Sequence, residues 1–123
     1  MLSTQRILCV DDDSADICEF LTDMPGRSDL NVIAVADRTE ALHLMEQERF
    51  SLYILDGQLP GVSGFSICEE IRKIDPQTPI IIYSGMAHQA DIDAGLLARA
   101  NAYLVKPEVG KLLPTVKHLL EQA

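Results

Sequence analysis

The stretch Ser51-Leu52-Tyr53-Ile54-Leu55-Asp56-Gly57-Gln58-Leu59-Pro60-Gly61 decides how the rest of the chain is read. Leu52 to Leu55 is apolar without interruption, the pattern of a strand covered on both faces. It stops at one carboxylate followed by turn residues. Asp56 therefore stands at the exit of a buried strand. In open parallel sheets ligands bind in the crevice beyond the carboxyl ends of the strands, so a charge placed there is a candidate for chemistry. An Asp-Gly step is also ordinary turn chemistry, and Asp56 acquires meaning only from what other strands bring beside it.

Working outward, Arg6 to Val10 reads as a first strand, followed by the carboxylates Asp11, Asp12 and Asp13. Ser14 is placed to cap a helix in which Ile17, Phe20, Leu21 and Met24 recur at helical spacing before Pro25-Gly26. Val32 to Ala36 reads as the next strand, and Thr39 as the cap of a helix carrying Ala41, Leu42, Leu44 and Met45. Beyond the central stretch, Ser63-Gly64 opens a helix with Phe65, Ile67, Cys68 and Ile71 inward and Glu69, Glu70, Arg72 and Lys73 outward, closed by Asp75-Pro76. Ile80 to Tyr83 is a strand ending at Ser84-Gly85. His88 to Ala98, with Ile92, Leu96 and Leu97, is a weaker helix, and Ala102 to Val105 is a short strand ending in Lys106-Pro107. Val109 to Glu121 is the last helix, with a distorted start expected at Pro114. Strand and helix alternate throughout, which implies an α/β, doubly wound parallel sheet in one domain, 1–123.

At 123 residues, 47% hydrophobic and 24% charged, the chain has the composition of a globule with a real core rather than of a disordered segment. No apolar run reaches membrane-spanning length, and Met1 to Arg6 has no secretory pattern, so the expected location is cytoplasmic and away from membranes. Cys9, Cys18 and Cys68 show no paired spacing and read as buried, reduced thiols. A formal charge of −9, with ten scattered Lys and Arg, argues against direct binding to nucleic acid, because release of counterions from phosphates needs clustered cations.

Four strands thus end in polar residues on one edge: the Asp11 to Asp13 cluster, Asp56, Ser84 and Lys106. Carboxylates gathered within a few Å repel by a few kcal/mol per pair at an effective dielectric near 20. Something positive must answer them. An all-oxygen site suits a hard cation, Mg²⁺ or alternatively Mn²⁺, and Lys106 adds a point charge suited to phosphate oxygen. A carboxylate, a divalent cation, a lysine and a hydroxyl together point to phosphoryl transfer onto Asp56 as nucleophile. An ionised carboxylate needs no general base, and His43, His88 and His118 read as helix-surface residues.

At this point the chain resembles a response-regulator receiver domain, the phosphoacceptor module of two-component signalling. Val10-Asp11-Asp12-Asp13 resembles the family's acidic pair after the first strand. Leu55-Asp56 with Leu59-Pro60-Gly61 and Gly64 resembles its phosphorylation-site motif. Ser84-Gly85 resembles the hydroxyl and small residue after the fourth strand, and Tyr103 with Lys106-Pro107 the switch aromatic and lysine around the fifth. The resemblance implies a flavodoxin-like fold of five parallel strands in order 2-1-3-4-5 with five helices. It implies Mg²⁺ bound by Asp12, Asp56 and the backbone carbonyl of Gln58, with Asp11 acting through water. Asp13 has no family role and reads as a solvated neighbour or a helix N-terminal charge. Lys106 and Ser84 would bond the phosphoryl group, and Tyr103 would turn inward. Gln58 and Met86 occupy positions that tune phosphoryl lifetime; Met86 cannot orient water, so slow self-dephosphorylation is expected.

The implied phosphodonor is a histidine kinase or phosphotransfer protein. The implied output surface comprises the helix 88–98, the strand 102–105 and the helix 109–121, read by an unidentified output partner or C-terminal effector domain, with homodimerisation on phosphorylation. The module is expected to catalyse only its own phosphorylation and dephosphorylation. Arg99 where glycine is frequent, Glu108 where an aromatic residue is common, and Pro114 depart from the family and make the output face individual; Ser84 for threonine keeps the hydroxyl. A dehalogenase-type phosphatase would need a carboxylate where Gln58 stands, and an FMN carrier a phosphate loop where three aspartates stand. A receiver fold serving as a phosphorylation-independent docking module is the remaining alternative.

Overall fold

The computed structural model of the chain describes residues 5–11, 21, 30–59 and 61–121. Strands β1 (Gln5–Val10), β2 (Leu30–Val35), β3 (Leu52–Leu55), β6 (Ile80–Ser84) and β7 (Ala102–Val105) form a five-stranded sheet in the order β2-β1-β3-β6-β7. All four pairings are parallel. Two-residue strands β4 (Gln58–Leu59) and β5 (Val62–Ser63) make a small antiparallel hairpin just after Asp56. Counting the long strands alone, the order is the 2-1-3-4-5 expected of a flavodoxin-like α/β fold; the hairpin was not anticipated.

Helices α1 (Arg38–Gln47), α2 (Gly64–Ile74), α3 (Gln89–Leu97) and α4 (Val109–Glu121) are the four among the described residues, against five expected. The further helix, from Ser14 to Met24, lies outside them except for Leu21, which is helical and fully buried. Asp12, Asp13 and Cys18 lie outside them too.

The continuous apolar strands are explained by two cores, one on each face of the sheet. Leu8, Val10, Tyr53, Leu55 and Ile80 pack with Ala41 of α1 and Ile67, Cys68 and Ile71 of α2. Ile7, Cys9, Leu52, Ile54 and Ile81 pack with Leu21 and with Leu112, Val116 and Leu120 of α4. Successive side chains of a strand alternate between faces, so a strand with helices above and below must be apolar at every position. Each fully buried Leu or Ile contributes about 1.5–3 kcal/mol. Cys9 and Cys68 are buried, and His43, His88 and His118 are exposed on or beside helices. No helix of the described residues is long and apolar enough to cross a membrane.

Local departures from the sequence reading have identifiable causes. β2 starts and ends earlier than 32–36. Asp37, not Thr39, caps α1, its Oδ1 accepting the Glu40 N–H at 2.9 Å; the cap must lie outside the helix on extended backbone. Pro114 sits inside α4 without ending it. Leu97 is 83% exposed, because α3 turns its small residue Gly95 to the sheet: a Cβ there would come within 2.7 Å of Tyr103 and 3.0 Å of Ile82.

Arg72, expected outward, is buried. Its Nε donates to the Arg99 carbonyl at 3.0 Å, Nη1 to those of Thr78 (2.6 Å) and Asp75 (3.1 Å), and Nη2 to Asn101 Oδ1 (2.7 Å). Asn101 Oδ1 in turn accepts the Ile80 N–H at 2.9 Å. Burial lowers the guanidinium's pKa, yet this set of oxygens holds it without a carboxylate hydrogen bond.

Arg99 has φ of 76°, in the left-handed region where a Cβ crowds the backbone. Its charge also works against the buried Arg72. Arg99→Gly should raise stability by about 0.5–1 kcal/mol, the strain relief exceeding the extra chain entropy glycine brings to the unfolded state. Urea denaturation of the two proteins checks this; equal or lower stability of the variant would show that the turn carries no strain.

Candidate functional site

The site residues are those that follow a strand while its ladder is still paired. The Asp11 N–H donates to the Val35 carbonyl (3.0 Å), the Asp56 N–H to Val10 (2.9 Å) and the Lys106 N–H to Ser84 (2.9 Å). Strand order then sets which ends adjoin: β1 beside β3 brings Asp11 to Asp56, and β6 between β3 and β7 brings Ser84 between Asp56 and Lys106.

Lys106 joins the two carboxylates. Its Nζ donates to Asp11 Oδ2 at 2.6 Å and to Asp56 Oδ2 at 3.3 Å, and lies 5.8 Å from the centre of the Tyr83 ring. Asp11 is 2% exposed and Asp56 9%. Burial disfavours the ammonium, but its hydrogen bond to Asp11 and the charges of Asp11 and Asp56 outweigh it and hold the Lys106 pKa above its ordinary value. The Gln58 N–H meets Asp56 Oδ1 at 3.2 Å. Lys106–Pro107 is a cis peptide.

Two glycines let the Asp56 loop close. A Cβ on Gly64 would stand 1.9 Å from the Asp56 carbonyl oxygen, and the Gly64 N–H donates to the Gly57 carbonyl at 3.0 Å. A Cβ on Gly57 would stand 2.7 Å from Met86 Cε and 3.0 Å from Ser84 Oγ. Gly61, with φ of 74°, turns the hairpin.

Beside Asp56 lies a second connected group. Ser84 is fully buried and its Oγ accepts the Met86 N–H at 3.2 Å; exposed Gly85 separates the two. The Tyr103 hydroxyl donates to the Met86 carbonyl at 2.6 Å, and its ring lies 6.3 Å from that of Phe65. Tyr103 is thus turned inward, and burial raises its pKa. Of the expected residues, Asp11, Asp56, Gln58 and Lys106 are joined by direct contacts, and Ser84, Met86 and Tyr103 by a second set that meets the first at Gly57. Tyr83, Phe65 and Gly95 were not singled out from sequence. A lone glycine inside a helical pattern is the signal that could have revealed Gly95.

No group of three His, Cys, Asp or Glu residues gathers among the described residues. The donor set is nevertheless suited to a hard cation: two buried carboxylates share one ammonium, leaving a formal charge of −1 on oxygen donors.

Two outcomes test this geometry. Gly64→Ala should cost about 2 kcal/mol, because its Cβ meets backbone that cannot move without displacing Asp56; a thermal melt matching the parent would show that the loop yields. Lys106→Met should destabilise the chain by about 3 kcal/mol at neutral pH, because it leaves two buried carboxylates without their cation. Since the folded-state pKa of Lys106 lies above the ordinary 10.5, its contribution is complete below the unfolded pKa and is lost as pH rises through the folded value. Denaturation at a series of pH values should show the gap between the two proteins narrowing only above about pH 10.5. A gap already closing at neutral pH would exclude the ion pairs as its source.

Residues 7–117 match the response regulator receiver domain. The transcriptional regulatory protein AfsQ1 of Streptomyces coelicolor is 36% identical over 107 residues, which are 87% of this chain and 47% of that protein. The chain spans about half the length of the curated relatives it matches. Among solved structures, a CheY-like response regulator receiver domain protein from Methanospirillum hungatei is 32% identical with a TM-score of 0.85, over 98% of this chain and 96% of that one. The response regulator protein TrrA from Thermotoga maritima, solved in complex with Mg²⁺-BeF, is 32% identical with a TM-score of 0.76, over 94% and 98%.

Proposed function

Because this chain belongs to the response regulator receiver family of two-component signalling, we propose that Asp56 is its phosphoacceptor and that residues 1–123 act as a phosphorylation-controlled switch. The observation that carries this reading is the Lys106 ammonium held between the buried carboxylates of Asp11 and Asp56. A carboxylate with a mobile cation beside it is a nucleophile with its charge-neutralising partner already in place.

An Asp56 carboxylate oxygen attacks phosphorus in line with the leaving group. A P–O bond forms, and the bond from phosphorus to the donor breaks: to the imidazole nitrogen of a histidine kinase or phosphotransfer protein, or to the acetate oxygen of acetyl phosphate. The leaving group keeps the bonding electron pair. Asp11, Asp12, Asp56 and the Gln58 carbonyl would hold Mg²⁺, whose positive charge offsets that of the phosphoryl oxygens. The Mg²⁺-BeF complex of TrrA supports this for a relative. Lys106 moves its hydrogen bond from Asp56 to a phosphoryl oxygen, and Ser84 supplies a hydroxyl to another. Gln58 and Met86 flank the acyl phosphate and set its exposure to water. With a methyl-tipped Met86 packed over Gly57 and Ser84, hydrolysis is slow.

Adding nearly two negative charges beside Lys106 and Ser84 favours the loop arrangement that bonds them best. Tyr103 and Met86 pass that preference to the surface of α3, β7 and α4. The reader of that surface is a protein partner, a following effector domain or a second phosphorylated copy, rather than nucleic acid or membrane.

Incubation with acetyl phosphate and Mg²⁺ should give a single phosphoryl adduct by intact-mass analysis. It should be absent in Asp56→Asn and in EDTA, and strongly reduced in Asp12→Asn. No adduct, under conditions that modify a control receiver, would overturn the proposal.

A further inference from the structure

The opposite rim of the sheet, where strands begin, holds a cavity of about 580 Å³ between the C-terminal ends of α1 and α2 and the start of β3. That is within the size range of small-molecule sites. None of the residues assigned to phosphorylation lines it. Its apolar wall includes Met45, Phe50 and Ile74, the last 62% exposed although large and hydrophobic.

The polar groups of the cavity are unevenly committed. Its carboxylates are engaged: Asp75 accepts the N–H groups of Gln77 (3.1 Å) and Thr78 (3.0 Å) and the Thr78 hydroxyl, and Glu48 is paired with Arg6. The Arg49 guanidinium and the Tyr53 hydroxyl are not. Arg49 is exposed and makes no ion pair among the described residues. Tyr53 is 2% exposed, yet its hydroxyl has no hydrogen-bond partner among them. Since no fully enclosed side-chain polar atom of the described residues lacks a partner, that hydroxyl is not sealed in the core and opens onto the cavity its side chain lines. Burial, reinforced by Asp75 and opposed by Arg72, pushes the phenol up to about 12, so it stays a proton donor at neutral pH.

We propose that this cavity binds a small amphipathic monocarboxylate, its head accepting hydrogen bonds from the Arg49 guanidinium and the Tyr53 hydroxyl and its tail lying against Phe50 and Ile74. A single negative charge fits because Arg49 is the one lining cation without an ion pair among the described residues. The carboxylates of Glu48 and Asp75 on the rim disfavour a doubly charged phosphate. The proposal is independent of chemistry at Asp56.

The test is titration of the ¹⁵N-labelled chain with hexanoate, followed by amide chemical shifts, with hexanamide as the uncharged control. Saturable shifts confined to residues 45–53 and 74–78 are expected, with Kd on the order of 1 mM. Binding should weaken about fivefold in Tyr53→Phe, which keeps the ring, and about tenfold in Arg49→Gln. Asp56→Asn should bind as the parent does. Non-saturating shifts, equal binding of hexanamide, or parental affinity in both cavity variants would overturn it.

Discussion

Two carboxylates on adjacent strand ends cannot remain charged and close without a cation between them, and the whole functional rim is arranged around that constraint. Repulsion between Asp11 and Asp56 at an effective dielectric near 20 would cost a few kcal/mol, a large part of a domain's net stability. Lys106 answers both with one side chain, from a strand two places removed from β3. Its bonds are unequal, 2.6 Å to Asp11 and 3.3 Å to Asp56. The carboxylate with the weaker hold is the one at which new chemistry is proposed. A cation tied more tightly to Asp56 would neutralise the nucleophile; one further away would leave the cluster unstable.

The glycines are the other half of that arrangement. Gly64 allows the start of α2 to approach the Asp56 carbonyl closer than any side chain permits, which fixes where Asp56 leaves the strand. Gly57 lets the Met86 methyl and the Ser84 hydroxyl close over the same loop. The loop after β3 is therefore in contact with the loop after β6, and through Met86 with the Tyr103 hydroxyl on β7. The Asp56 loop, the Ser84 hydroxyl, the backbone of Met86 and the Tyr103 hydroxyl thus form one connected series.

Much of this was legible in the sequence because doubly buried strands have to be apolar and their ends do not. Leu52–Leu55, Ile80–Tyr83 and the polar residues after them mark both the sheet and its functional edge. What failed was what depends on a partner distant in sequence. Arg72 reads as a surface charge from helical periodicity, since nothing local shows that the Thr78 and Arg99 carbonyls and the Asn101 amide will converge on it. Leu97 reads as core, but Gly95 presses α3 so close to Tyr103 and Ile82 that the helix buries its smallest residue instead. Thr39 reads as a cap by residue type, and only backbone geometry moves the cap to Asp37. The hairpin β4–β5 is too short to carry a period. Tyr53 is one more apolar residue in a strand until the cavity beneath its hydroxyl is seen.

The two rims of the sheet contrast in how their polar groups are satisfied, and the contrast bears on how a switch can work. At the rim where strands begin, Arg72 ties the end of α2, the turn before β6 and the turn before β7 into one hydrogen-bonded unit through acceptors that carry no charge. At the other rim, the Lys106 ammonium and the Ser84 hydroxyl are groups that a new anion would compete for. Helix α3 runs between the two: its end is held at Arg99 by the guanidinium, while Gly95, within its last turn, rests on the Tyr103 ring. With the C-terminal end anchored, a displacement of Tyr103 has to be taken up by packing at Gly95 and by the N-terminal part of α3. In the proposed switch, a fixed end and a responsive contact separated by about one helical turn would convert a local rearrangement into a tilt of the exposed face that carries Leu96 and Leu97.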